Sequence, residues 1–104
     1  MNHLVEICSL NLKSGTRNEF HRLYIEEALP RLKRWNFDVV AHGPSLHDEN
    51  IYYVIRRYES LSQREQMEKA YYASDDWRHG PREALLASIE SYVDLVLEVD
   101  ESTV

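Results

Sequence analysis

The chain is poor in the residues that mark secreted, fibrous or membrane-spanning proteins. Among 104 residues it has one cysteine, Cys8. A single thiol cannot close an internal disulfide, so the reducing cytoplasm is the expected compartment. Glycine and proline number three each, too few for a collagen-like or low-complexity chain. No apolar run approaches the ~20 residues needed to cross a bilayer, so no membrane partner is expected. Positive charge is also scarce. Lysine and arginine total 12 against 18 acidic residues, a net charge of −6. Nucleic-acid binding calls for a basic face, and none is expected here. The N-terminal residues Met1–Glu6 lack the basic and apolar regions of a secretory signal. What the chain does have is core material, 43% hydrophobic with 11% aromatic. At this length that predicts one globular domain over residues 1–104.

The apolar pattern predicts the elements in order. Residues 3–12 read as a strand ending at the turn-forming Ser14-Gly15. Thr16 and Glu19 have the spacing of a capping box and open a helix. Its stripe is Phe20, Leu23, Tyr24, Ala28, Leu32 and Trp35, with a kink predicted near Glu26 because of Pro30. A second strand is predicted over 37–42, and a third, dense in β-branched and aromatic residues, over 51–58. Ser60 with Gln63 caps a helix to about Tyr72. Ser74 opens another turn of helix, Gly80-Pro81 bends it, and residues 92–99 form the last strand. Asp100–Val104 reads as a polar, frayed tail. The order β-α-β-β-α-β predicts an α+β, ferredoxin-like fold with an antiparallel sheet.

Alternation divides the strands into two faces. Val5, Ile7, Phe37, Val39, Tyr53, Ile55, Val93, Leu95, Leu97 and Val99 form a nearly apolar set, expected under the helices. The other set mixes Glu6, Cys8, His42, Tyr52, Arg56, Tyr58 and Asp94 with aliphatic residues. It is expected to lie open and to pair sheet to sheet with a second copy, giving a homodimer.

The segment Tyr72–Arg82, Y-A-S-D-D-W-R-H-G-P-R, resembles the second-helix signature of the NIPSNAP family, within the dimeric α+β barrel superfamily. Arg57-Tyr58-Glu59-Ser60-Leu61 with Arg64, and Glu6, Gly15, Phe20 and Leu29-Pro30, resemble other parts of that family. The chain departs from the family pattern at Cys8, Leu10 and Arg56. The resemblance implies a ferredoxin-like subunit that forms a dimeric α+β barrel. The superfamily also contains small monooxygenases, haem-degrading enzymes, isomerases and cyclases.

Candidate chemistry is sparse. Glu6, mid-strand among apolar neighbours, would move a proton if its pKa were raised, or else pair with Arg56. His42 is a candidate proton donor or ligand contact. His79 is a third catalytic candidate, and by analogy with haem-binding relatives a candidate iron ligand. Tyr52, Arg56, Tyr58 and Trp77 offer polar groups beside apolar walls and are the expected ligand-binding residues. His42, His47, Asp48 and Glu49 read as a hairpin turn, so neither a metal nor another cofactor is expected. Three functions follow. One is a cytoplasmic protein binding a small apolar or aromatic ligand. Another is a cofactor-independent monooxygenase, isomerase or cyclase using the same cavity. The last is a structural dimer module.

Overall fold

The computed structural model describes residues 2–100. Residues 101–104 of the expected tail lie outside them. The strands are β1 (Asn2–Leu12), β2 (Asp38–Pro44), β3 (Ile51–Tyr58) and β4 (Ile89–Asp100). They form one sheet in the order β2-β3-β1-β4, antiparallel throughout. The helices are α1 (Arg17–Leu23), α2 (Leu29–Arg34), α3 (Leu61–Tyr72), α4 (Asp75–Arg78) and α5 (Arg82–Ser88). The β-α-β-β-α-β order is the one expected, and the fold is α+β and ferredoxin-like. β4 begins three residues earlier than alternation predicts, because its pairing with β1 runs from Asp100 opposite Asn2 to Ile89 opposite Leu12.

Local signals were obeyed unevenly. At α3 the capping box forms, with the Gln63 amide donating to Ser60 Oγ at 3.0 Å. At α1 it does not. Thr16 Oγ1 donates instead to the Lys13 carbonyl at 2.7 Å, and Glu19 pairs with Arg22. The competing local turn and ion pair capture both side chains. Between α1 and α2 the backbone runs on as one π-helical segment, Tyr24–Ala28, in which the Leu29 amide reaches back to the Tyr24 carbonyl. This is the consequence of Pro30. Its missing N–H and its ring against the preceding turn are absorbed by one widened turn rather than by a break. Asn36, with φ 65°, then ends α2. The Phe37 amide bonds the Leu32 carbonyl and the Asn36 amide bonds that of Lys33, a Schellman closure with asparagine in the left-handed position.

Asp76 ties the two halves of the helical layer together. Its carboxylate accepts from Arg31 Nε at 3.1 Å, Arg34 Nη2 at 2.9 Å and Trp35 Nε1 at 2.9 Å. The Trp35 indole and the Arg34 and Arg31 guanidiniums hold the carboxyl below the usual range. The long-range pairing is invisible to spacing along the chain. Gly80 makes room for it. A Cβ there would stand 2.2 Å from the Asp76 carbonyl oxygen and 2.9 Å from Arg31 Nε.

The two sheet faces are the reverse of the expectation. The mixed set lies under the helices. Glu6, Cys8, Leu10, Tyr52, Val54, Arg56 and Tyr58 are all buried, packed with Phe20, Tyr24, Ala28 and Leu32 of the helical layer. The apolar set is the open face, except for Phe37 and Val39, which lie with the helix-side core as expected. Val93, Leu95 and Leu97 are 69%, 51% and 40% exposed. Val5 and Ile7, opposite Leu97 and Leu95, and Tyr53 and Ile55 on the next strand are only partly covered. Alternation was read correctly, but greater apolarity does not identify the inner face when polar groups can be satisfied by helices above them. β2 adds a second correction. A bulge between Val39 and Ala41 shifts the alternation, so Val39 and His42 pair opposite Arg56 and Val54, which belong to the helix face.

Gly80→Ala is expected to lower stability by about 1–3 kcal/mol, the usual cost of overpacking a tight contact. Thermal unfolding followed by circular dichroism measures it. An unchanged melting temperature would mean that the Asp76–Arg31 contact yields without cost.

Candidate functional site

The site forms where three elements converge. The β1–β3 register sets Glu6 directly opposite Arg56, on the face under the helices. Over them lies α3, whose Arg64, Glu68 and Tyr72 follow at steps of four and therefore share one helix face. Glu6, 1% exposed, accepts a hydrogen bond from Arg64 Nε at 2.6 Å and forms an ion pair with Arg56, whose Nε lies 3.2 Å from Glu6 Oε1. The pair expected between Glu6 and Arg56 thus exists, with a second guanidinium from the helix. Arg56 Nη1 donates to the Tyr72 hydroxyl at 3.0 Å, and the Tyr58 hydroxyl donates to Glu68 Oε2 at 2.8 Å. Buried charges are tolerated only when paired, and here each carboxylate meets a guanidinium or phenol. Burial foremost, and then the neighbouring Glu6, push the Glu68 carboxyl above its ordinary range.

Beside this network is a cavity of about 360 Å³ between helices and sheet. This is at the small end of ligand pockets, which run to about 300–1,000 Å³. Arg56 and Glu68 stand at its wall with Cys8, Tyr24, Tyr71 and Trp77. Asp94 and the exposed Tyr92 contribute from β4, and Leu86 from α5. Burial and then Asp94 push the Cys8 thiol up, so it is a protonated wall group rather than a nucleophile. Tyr71, whose ring meets Trp35, Phe37, Tyr72 and Trp77 edge-on or tilted, has its phenol pushed up to about 12 by burial, then by Tyr72 and Asp76.

The expected site residues divide. Arg56 and Trp77 line the cavity. Tyr52 and Tyr58 are fully buried and absent from its lining. Glu6 lies behind Arg56. His42 belongs to a separate cluster, in which His42 Nδ1 and His21 Nδ1 lie 3.2 and 2.7 Å from the Tyr52 hydroxyl. Burial foremost, then His21 and Lys33, lower the His42 pKa. His79 is not among the cavity-lining residues; its side chain is 79% exposed and lies near Asp75. The His47 and Asp48 hairpin is closed by its own side chains, with the Asn50 amide donating to Asp48 Oδ1 at 2.9 Å. Among the described residues, no group of three or more histidine, cysteine or acidic side chains is placed to hold a metal. Tyr24, Tyr71, Tyr72 and Glu68 went unnoticed as site residues. The Arg64-Glu68-Tyr72 spacing was the available signal, but it needs a charged partner on the sheet before it means more than a solvated stripe.

The architecture defines the class, a ferredoxin-like α+β protein with a cavity between its sheet and its helices. The NIPSNAP family model matches residues 5–97, and the chain belongs to that family. An uncharacterised NIPSNAP domain protein from Burkholderia xenovorans superposes with a TM-score of 0.85 at 17% identity, over 94% of this chain and 95% of the other. A NIPSNAP family protein from Agrobacterium tumefaciens gives 0.86 at 17% identity, over 95% and 87%. A protein from Nitrosomonas europaea, assigned provisionally as an antibiotic biosynthesis monooxygenase, gives 0.68 at 10% identity, over 90% and 95%. At these identities the likeness is one of fold. No curated protein matches the sequence.

Two outcomes test the network. Glu6→Gln leaves the buried Arg56 guanidinium without its carboxylate and removes one partner of Arg64, and is expected to cost about 3–5 kcal/mol in denaturant unfolding. Glu68→Gln probes the raised carboxyl. A folded-state value above the ordinary 4.5 contributes stability that is full below that value and lost as pH rises through the raised one. The melting temperature of Glu68→Gln relative to the parent should therefore increase from about pH 4 to pH 7. A difference independent of pH would show that Glu68 titrates normally.

Proposed function

We propose that this protein binds a small apolar or aromatic molecule in the cavity between its helices and sheet, and works as a homodimer joined through the open sheet face. The observation that carries the first part is the cavity itself, walled by aromatic side chains with Arg56 and Glu68 at one side. Side chains that merely filled a structural core would leave no such space. Arg56 and Trp77 are the expected ligand contacts, with Tyr52 and Tyr58 bracing the sheet wall behind them. The homodimer is supported by the stripe of Val93, Leu95 and Leu97 on β4. A second copy covers such a stripe with the least new design, because a twofold axis uses one surface twice. A reducing cytoplasm suits the single buried cysteine.

A cofactor-independent enzyme is the second reading, favoured by Glu68. A carboxyl at the cavity wall whose pKa is raised holds its proton to higher pH than an exposed glutamate and can exchange it with a bound molecule. Glu68 replaces Glu6, His42 and His79 as the candidate base, because it alone of the four lines the cavity.

Native mass spectrometry tests both parts. The parent is expected at twice the subunit mass with a retained small molecule. Leu95→Glu is expected to run as a folded monomer, since the substitution puts charge on the open face and leaves the helix face untouched. A parent that stays monomeric at micromolar concentration would remove the dimer, and dialysis-resistant absence of any adduct together with no binding of aromatic probes would remove the ligand.

A further inference from the structure

The cavity wall carries hydrogen-bonding groups that the protein itself does not use. The hydroxyls of Tyr24 and Tyr71 are buried and have no partner, and both residues line the cavity. Native proteins rarely leave such groups unsatisfied, so each orphan points to something that completes it. Tyr24 is the more telling of the two. Its residue sits at the π-helical turn that Pro30 imposes. The groups that act electrostatically on its phenol include Arg56, Tyr72 and Cys8, all of which line the same cavity. Arg56 already donates to Tyr72. Tyr24 and Arg56 thus stand in one cavity wall, and a phenol and a guanidinium can both donate to one oxygen.

Charge narrows the choice of ligand. The positive groups around the cavity are Arg56 and, behind it, Arg64. Glu6 pairs with both, while Glu68 and Asp94 stand at the wall. Two guanidiniums thus already face three carboxyl groups, and an added anion gains no net attraction. A pure hydrocarbon leaves the two phenols unpaired. A neutral molecule with an acceptor oxygen satisfies both constraints, and the aromatic wall of Phe20, Tyr71 and Trp77 suits a ring. Resting on the ligand-binding reading above, we infer that the cavity takes a neutral aromatic carbonyl compound, its carbonyl oxygen accepting from the Tyr24 hydroxyl and facing Arg56. Tyr71 supplies a second donor for a further oxygen on the same ligand.

Three probes of nearly equal size separate the possibilities: acetophenone, a neutral ketone; cumene, a hydrocarbon of the same shape; and benzoate, an anion. Equilibrium dialysis against the intact protein at neutral pH gives their relative affinities. Acetophenone is expected to bind about three- to tenfold more tightly than cumene, the yield of one hydrogen bond, with benzoate the weakest. Tyr24→Phe should abolish the advantage of the ketone and leave cumene unchanged. Its melting temperature should not fall, because the hydroxyl makes no bond within the protein, so loss of fold cannot mimic the result. Equal binding of ketone and hydrocarbon, tightest binding of benzoate, or a ketone advantage that survives in Tyr24→Phe would overturn the carbonyl while leaving the cavity reading intact. If none of the three binds, both fall together.

Discussion

The structure turns on one buried carboxylate. Glu6 lies at the centre of the sheet with essentially no access to water, between Arg56 from the adjacent strand and Arg64 from α3. A charge there is affordable only if both guanidiniums reach it. That requirement determines which side of the sheet the helices must cover. It also fixes the rotation of α3, because Arg64, Glu68 and Tyr72 have to point down together. The apolar face is then the one left open. Hydrophobic burial alone would have chosen the opposite arrangement. Here the charged pair is covered by the helices while Val93, Leu95 and Leu97 stay open.

The helical layer is held at a distance from the sheet by a second polar hub. Asp76 gathers Arg31, Arg34 and Trp35 from the end of α2, and Gly80 lets α4 come close enough for this to happen. With the Glu6 network on one flank and the Asp76 hub on another, the helices are pinned at points rather than packed down everywhere. The cavity is the space between those pins. The π-helical turn before Pro30 brings Tyr24 and Ala28 to its wall. A sequence constraint as local as one proline thus shapes the lining of a site formed by residues far apart in the chain.

The legible part of this protein was its local grammar. The third strand was read residue for residue, and the capping box at Ser60 and the bend at Gly80-Pro81 were visible as spacing. So was the disturbance near Glu26, though not that it would be a widened turn. The Glu6–Arg56 pair could be anticipated from parity. The misread part followed from one assumption, that the more apolar face lies inside. It carried Tyr52, Arg56 and Tyr58 to the wrong side of the sheet and concealed Glu68 and the unpaired phenols of Tyr24 and Tyr71. His79 failed as a site residue for a related reason. A motif position says nothing about exposure, and the short helix α4 turns that imidazole outwards.

By itself, the sequence determined the order and kind of elements, since periodicity, caps and turn residues act over a few positions and need no knowledge of distant partners. It also determined the resemblance to NIPSNAP proteins, through a segment whose Asp76, Trp77 and Gly80 are contiguous enough to be recognised. Tertiary structure alone decided which sheet face is covered, which carboxyl stands at the cavity, and which hydroxyls are left without partners. Those are properties of groups separated by tens of residues and brought within hydrogen-bond distance only when the charges of Glu6 and Asp76 are paired across the fold.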